Sequence, residues 1–157
     1  MFKKILIANR GEIACRIIST AKKMGIKTVA VCSDADKFAK HVFLADESYY
    51  LGESTADKSY LDKEKIIEAM HKTGSEAVHP GYGFLSENAS FAKMVEDNGF
   101  VFIGPSSESI NMMGDKISSK KIAERAGLSI VPGFLGEVIS KDHALGLIQE
   151  IGFPVLL

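Results

Sequence analysis

Apolar residues recur along this chain in a repeated order: a stripe at helical spacing, then a glycine, then a short continuous apolar run. Ile13, Ala14, Ile17, Ile18, Ala21 and Met24 share one helical face. Ile66, Ile67 and Met70 do the same, with Asp62 placed as the N-cap. Phe91, Met94 and Val95 follow Ser86, where a helix is expected to start, and Ala144, Leu147, Ile148 and Ile151 follow Ser140. Gly25, Gly74, Gly99, Gly127 and Gly152 close these stretches, as the common left-handed helix cap does. The runs that follow are Lys27–Cys32, Glu76–Val78, Phe100–Ile103, Leu128–Val131 and Phe153–Leu157. Helix, glycine and apolar run in alternation predict α/β units around a largely parallel sheet. Its strands are expected at Lys4–Ala8, Thr28–Cys32, Ser48–Leu51, Ala77–His79 and Val101–Ile103. The helical stripes are read as core contacts.

The rhythm breaks near residues 105–115, at Gly104-Pro105-Ser106-Ser107. A helix pair, Ser109–Met113 and then Lys116–Ala126, begins a different arrangement. This divides the chain into a doubly wound, Rossmann-like α/β domain over residues 1–112 and the start of a second over 113–157. Gly52–Ser59 and Pro132–Ser140 are the most irregular stretches.

Composition narrows the function classes. Net charge is −1, from 19 Lys and Arg against 20 Asp and Glu, so there is no electrostatic footprint for nucleic acid or an anionic membrane. No apolar run approaches the roughly 20 residues of a transmembrane helix. The basic, then apolar start at Met1–Ala8 stops at Asn9-Arg10-Gly11-Glu12, too short for a signal peptide. A cytoplasmic address is the expectation. Cys15 and Cys32 are expected as free thiols. The four His (41, 71, 79 and 143) show no zinc-ligand spacing, and no structural metal is expected.

Three segments carry candidate chemistry. The first is Ala8-Asn9-Arg10-Gly11-Glu12-Ile13-Ala14-Cys15-Arg16, between the first strand and the first helix. In open parallel sheets, ligands bind beyond the carboxyl ends of strands. A dinucleotide site would need G-x-G-x-x-G here, and only Gly11 is present. Asp34 and Asp36 nevertheless lie where a ribose-binding acid would sit, about 20 residues on. A dinucleotide-binding Rossmann domain therefore stands as one alternative, and a non-catalytic docking module as another. The second segment is His79-Pro80-Gly81-Tyr82-Gly83-Phe84-Leu85-Ser86-Glu87-Asn88-Ala89. Proline removes a backbone donor, and glycine permits positive φ and close backbone approach. This loop and Asn9–Glu12 are expected on one edge of the sheet. The third is Met112-Met113-Gly114-Asp115-Lys116, with Asp115 as an N-cap and Lys116 in the first helical turn. A cation there opposes the helix dipole. No glycine stands where a Walker A loop would need it.

These three motifs, in this order, resemble the biotin carboxylase family. HPGYGFLSENA is similar to the loop of that family, and the opening with Cys15 is most like the biotin-containing subunits of propionyl-CoA and related acyl-CoA carboxylases. The resemblance extends through Gly25–Val31, Ala45–Glu47, Lys58–Leu61 and Phe102–Pro105 to essentially the whole chain. One feature does not carry over: stand-alone bacterial members have a charged dimer contact on the first helix, where Ser19 and Lys23 stand here.

The resemblance implies a pre-ATP-grasp domain followed by the truncated start of an ATP-grasp domain. It implies that ATP and bicarbonate form carboxyphosphate, which carboxylates biotin on a carrier domain and so feeds an acyl-CoA carboxyltransferase. ATP, Mg2+, biotin and bicarbonate are the implied cofactors and substrates. The implied partners are the remainder of the biotin carboxylase, the biotin carboxyl carrier domain and the carboxyltransferase subunit. Lys116 is implied to reach the phosphates of ATP, as a compact point charge on a flexible stem. Tyr82 and Gly83 are implied to approach biotin, and His79, Gly81 and Glu87 to shape the loop. The chain stops at Phe153–Leu157, within what resembles an early ATP-grasp strand. The family's second nucleotide lysine, glycine-rich phosphate loop, magnesium carboxylates and catalytic arginine lie further on. This segment alone is therefore expected to be inactive, with no cofactor bound. The apolar face of Ile117, Ile122, Ala123, Leu128, Ile148 and Ile151 is expected to lack its packing partner.

Overall fold

The structure, a computed structural model, describes residues 1–131, 133–134 and 136–155. The chain divides into two compact units, Met1–Ile110 and Asn111–Leu157.

The first unit is built on a five-stranded sheet: β1 (Lys4–Ile7), β2 (Lys27–Ser33), β3 (Glu47–Gly52), β4 (Ala77–His79) and β5 (Val101–Phe102). The spatial order is β3-β2-β1-β4-β5, and every pairing is parallel. The connecting helices are α1 (Gly11–Lys23), α2 (Lys40–Leu44), α3 (Lys63–Thr73) and α4 (Ala89–Asp97), and α5 (Ser107–Gly114) follows β5. Strand β2 is buried from Thr28 through Ser33, as a central strand covered on both faces must be.

The period-2 alternation of side chains divides the core between the two faces of the sheet. Leu6, Ala8, Val29, Val31 and Val78 pack in one cluster with Ile66, Ile67 and Met70 of α3 and Phe91 and Val95 of α4. Ile5, Ile7 and Ala77 pack in a second with Ile13, Ala14, Ile17, Ile18 and Ala21 of α1. The stripes read from the sequence are thus the inner faces of α1, α3 and α4, except that Met24, the C-cap residue beyond the last turn of α1, is exposed and makes no core contact. Phe91 meets Phe102 edge to face, with centroids 6.0 Å apart.

Local chemistry sets the helix ends. Asp62 caps α3 by accepting the Lys65 N–H at 3.1 Å, and Gly74 closes it in the left-handed conformation at φ 65°. An Asp62→Ala substitution is expected to lower stability by about 1 kcal/mol, measured as a shift in the denaturation midpoint at unchanged m. Helix α4 differs from expectation. It starts at Ala89 rather than Ser86, because Asn88 is the N-cap and accepts the Phe91 N–H at 2.9 Å. Ser86 and Glu87 belong instead to a turn in which the Ser86 N–H donates to the Gly83 carbonyl at 2.9 Å.

The second unit holds α6 (Lys116–Arg125) and α7 (Lys141–Ile151), capped by Asp115 and Ser140. None of the described residues of α6 or α7 is fully buried. Leu128 and Ile151 are exposed, while Ile117, Ile122, Ala123 and Ile148 are half-buried. The apolar run Leu128–Val131 forms no strand, nor do Phe153–Val155. Leu156 and Leu157 of that last run lie outside the described residues, as do Pro132 and Leu135 of the irregular stretch. Among the described residues, no helix is long and apolar enough to cross a membrane.

Candidate functional site

Strand order decides where a ligand can sit. From β1 the chain crosses to β2 on one side, whereas β4 and β5 lie on the other side of β1. The carboxyl ends of β1 and β4 therefore flank the topological switch point, the place where open α/β sheets bind ligands. Both candidate loops leave from these two ends. The pairing runs on past the strands, with the Ala8 N–H donating to the His79 carbonyl at 2.9 Å.

Asn9 then joins the two loops. Its Nδ2 donates to the Pro80 carbonyl at 2.8 Å and to the Tyr82 carbonyl at 2.8 Å. Its Oδ1 accepts the Arg10 N–H at 2.9 Å. Asn9 is only 3% exposed, and a buried amide must find such partners. Gly81 lies against it at φ 67°, and a Cβ there would stand 2.7 Å from Asn9 Nδ2. Glycine is what lets the loop backbone reach the amide.

A second set of contacts holds the far half of the loop. Phe84 has φ 39°, a costly conformation for a bulky side chain. Its ring stacks on Tyr60, with centroids 5.2 Å apart and planes 10° apart. Leu85 beside it is fully buried. The Tyr60 hydroxyl donates to Asp36 at 2.8 Å and accepts the Ser33 N–H at 3.2 Å. The β2–β3 pairing is irregular at the same place, Cys32/Ser33. Arg10 completes the cluster. Its guanidinium lies 3.1 Å from Asp36 and sits over the Tyr60 ring at 5.7 Å. Partial burial raises the Asp36 pKa, but hydrogen bonds from Tyr60, Arg10 and Ser33 and the charge of Arg10 outweigh it. The carboxyl titrates below its usual range. Burial and Asp36 push the Tyr60 hydroxyl well above its ordinary value.

The residues singled out by sequence fall at different places around this frame. His79 ends β4, and its Nδ1 accepts the Gly81 N–H at 3.0 Å. Burial, with a smaller contribution from Arg16, lowers its pKa. Tyr82 projects from the loop at 64% exposure, and Gly83 beside it is exposed at φ 65°. Glu87 is exposed and has no side-chain partner among the described residues. Asn9, Tyr60 and Asp36, which fix the loop, were not singled out for that role. The one sequence signal for Asn9 is its polarity at the end of an apolar run.

His41, at the edge of this region, is fully buried on α2. Its Nε2 lies 3.3 Å from the Val31 carbonyl, and its Nδ1 has no partner among the described residues. Burial lowers its pKa despite opposing contributions from Val31 and Asp36. Protonation is thus resisted in the folded chain, and the unfolded chain binds more protons below pH 6.5. Stability is expected to be full above that pH and to fall as pH drops from 6.5 toward the lower folded pKa. Urea midpoints between pH 5 and 8 check this, and the decline should be shallower in His41→Gln.

In the second unit, Asp115 Oδ1 accepts the Ser118 N–H at 2.7 Å and so starts α6. Lys116 is the first helical residue and is exposed, with no ion-pair partner among the described residues. It lines an open cleft of about 320 Å³ with Ile117, Ser119, Lys120 and Phe134. Two lysines one turn apart on a cleft wall can contact an anion. Among the described residues, no group of three or more His, Cys, Asp or Glu is arranged to hold a metal ion.

Asp34 and Asp36 are poorly placed for a ribose. Asp36 is engaged as above, and Asp34 pairs with Lys37 at 2.8 Å and accepts the Tyr50 hydroxyl at 2.7 Å.

Comparison with known proteins bears on the same region. The family model described as "Biotin carboxylase, N-terminal domain" matches residues 1–110. The propionyl-CoA carboxylase alpha chain of Ruegeria pomeroyi is 55% identical over 157 residues, which are 100% of this chain and 23% of that protein. The chain thus spans less than a quarter of the length of that curated relative. A biotin carboxylase–β,γ-ATP complex from Campylobacter jejuni matches with a TM-score of 0.91 and 44% identity, over 98% of this chain and 34% of that one. The biotin carboxylase domain of the Hydrogenobacter thermophilus 2-oxoglutarate carboxylase, in complex with MgADP, ADP and bicarbonate, matches with a TM-score of 0.89 and 47% identity. That match covers 98% of this chain and 34% of the other.

Proposed function

The chain belongs to the biotin carboxylase N-terminal domain family, and from that premise we propose that it is part of a biotin carboxylase acting within an acyl-CoA carboxylase. In this reading the parent enzyme uses ATP and bicarbonate to carboxylate carrier-bound biotin. The carboxybiotin then serves a carboxyltransferase acting on propionyl-CoA or a related acyl-CoA. Residues 1–112 form the N-terminal domain, and residues 113–157 belong to the ATP-grasp domain.

The observation that carries the reading is the junction made by Asn9. It holds two family motifs together at the switch point of the sheet and leaves Tyr82 exposed at their rim. There Tyr82 and Gly83 face biotin, while His79 and Gly81 set the loop that presents them. Lys116 supplies positive charge to the ATP phosphates, and Lys120 on the same cleft adds to the local potential. Its role is to bind and orient the nucleotide and offset its charge, the terms that dominate phosphoryl transfer. When bound, magnesium would offset negative charge on the phosphates. The described residues offer no carboxylate cluster for it, and its ligands belong to the rest of the enzyme. The dinucleotide alternative is set aside, since Gly11 stands alone and both candidate ribose acids are engaged.

Steady-state kinetics of the complete polypeptide test the reading. ADP release should require bicarbonate and rise when free biotin is added. Release that is indifferent to both would refute it.

A further inference from the structure

Tyr60 lies outside the residues proposed to meet biotin or ATP, yet its surroundings are those of a part that sets another part. It is 1% exposed, large and polar, and its hydroxyl reaches a carboxylate rather than water. Asp36 receives Tyr60, Arg10 and Ser33 together, from three separate stretches of chain. One face of the Tyr60 ring carries Phe84, the loop residue held at positive φ. The guanidinium of Arg10, next in sequence to Asn9, also lies over the ring.

The loop from Pro80 to Leu85 is therefore pinned at two points. Asn9 holds the carbonyls of Pro80 and Tyr82. Tyr60 holds the ring of Phe84, two residues beyond Tyr82. Arg10 connects the pins, because its backbone N–H bonds Asn9 and its side chain bonds Asp36. A backbone that keeps a phenylalanine at φ 39° needs such contacts to stay there.

We propose that Tyr60, anchored by Asp36, is a positioning residue: by stacking on Phe84 it fixes the loop that presents Tyr82 and so sets the site for the ureido ring of biotin. This rests on the biotin carboxylase reading. Tyr60 touches neither substrate. Its effect passes through Phe84 and the loop, so it acts on the biotin side and not on nucleotide binding by Lys116. Removing the hydroxyl leaves the Ser33 N–H without its acceptor and Asp36 with one fewer donor. The ring is then free to shift under Phe84.

The test uses the complete carboxylase, with free biotin as the probe. Tyr60→Phe should lower kcat/KM for biotin by about two- to tenfold, the part of the loss of the hydroxyl's two hydrogen bonds that reaches the loop, chiefly through a raised KM for biotin. The KM for ATP should stay within about twofold of wild type. Phe84→Leu, which keeps the hydroxyl network and removes the stack, should show the same split. Tyr50→Phe, which also removes a phenol from a carboxylate but on the outer edge strand, should leave the biotin parameters unchanged. A merely structural Tyr60 would lower thermal stability and the active fraction and leave both KM values alone. That result in Tyr60→Phe, or in Phe84→Leu if Tyr60→Phe does not fold, overturns the proposal. Wild-type enzyme without biotin-stimulated turnover would instead overturn the parent reading, before any variant is made.

Discussion

Replacing Lys116 with glutamine should raise the KM for ATP in the complete carboxylase by tenfold or more, while stability stays level or rises slightly. Lys116 opens α6, where the positive end of the helix dipole disfavours a cation. Lys120 stands one turn further along and lines the same cleft. Like charges at this spacing destabilise a helix by roughly 0.2–0.5 kcal/mol. Among the described residues, no acidic side chain pairs with Lys116 to offset this. An arrangement that disfavours the free protein is relieved by a bound anion. A charged hydrogen bond of this kind contributes about 1.5–3 kcal/mol, or a factor of roughly ten to a hundred in affinity. Loss of ATP affinity without loss of stability is therefore the expected signature. An unchanged KM would make Lys116 a solvated surface lysine, and the non-catalytic docking alternative would then gain ground.

Gly81→Ala should be the most damaging single-methyl change in the loop, costing about 2–5 kcal/mol. Alanine at φ 67° carries about 1–2 kcal/mol of backbone strain. Its Cβ would lie 2.7 Å from Asn9 Nδ2 and 3.0 Å from Asn9 Cβ and Cγ. Asn9 is buried and cannot yield without releasing Pro80 and Tyr82, two hydrogen bonds of roughly 0.5–1.5 kcal/mol each. Gly83 gives the control. Its φ is 65°, but among the described residues no atom beyond its chain neighbours lies within 4 Å of where a Cβ would stand, so Gly83→Ala should show the backbone strain alone. Urea denaturation of both variants decides the matter, and equal losses would mean that Asn9 does not hold the loop.

Strands β2, β4 and β5 were legible because each is an apolar run that follows a helix-closing glycine, Gly25, Gly74 or Gly99. β4 was placed to the residue, and β5 is only one residue shorter than expected. Asp62, Asp115 and Ser140 were legible as helix starts because a cap acts within three residues. Ser86 was misplaced as a helix start for a tertiary reason. The Phe84 stack and the Gly83–Ser86 turn take up the residues just before Asn88, an equally good cap. The Asn9 junction joins residues 71 and 73 apart in sequence, and the Tyr60–Asp36 bond spans 24. Periodicity and capping are local, so neither could disclose these contacts. They exist only once parallel pairing sets β1 beside β4. In the second unit the helices were legible from their stripes. Leu128–Val131, apolar enough for a strand, forms none.

As proposed above, this chain belongs to an enzyme that moves a carboxyl group from bicarbonate to biotin. Incubating the complete polypeptide with radiolabelled bicarbonate, ATP and magnesium, then recovering biotin under alkaline conditions, tests it directly. Label should reach biotin only with ATP and should be strongly reduced in the Lys116→Gln variant at limiting ATP. ATP cleavage by active wild-type enzyme with no label reaching biotin would contradict it.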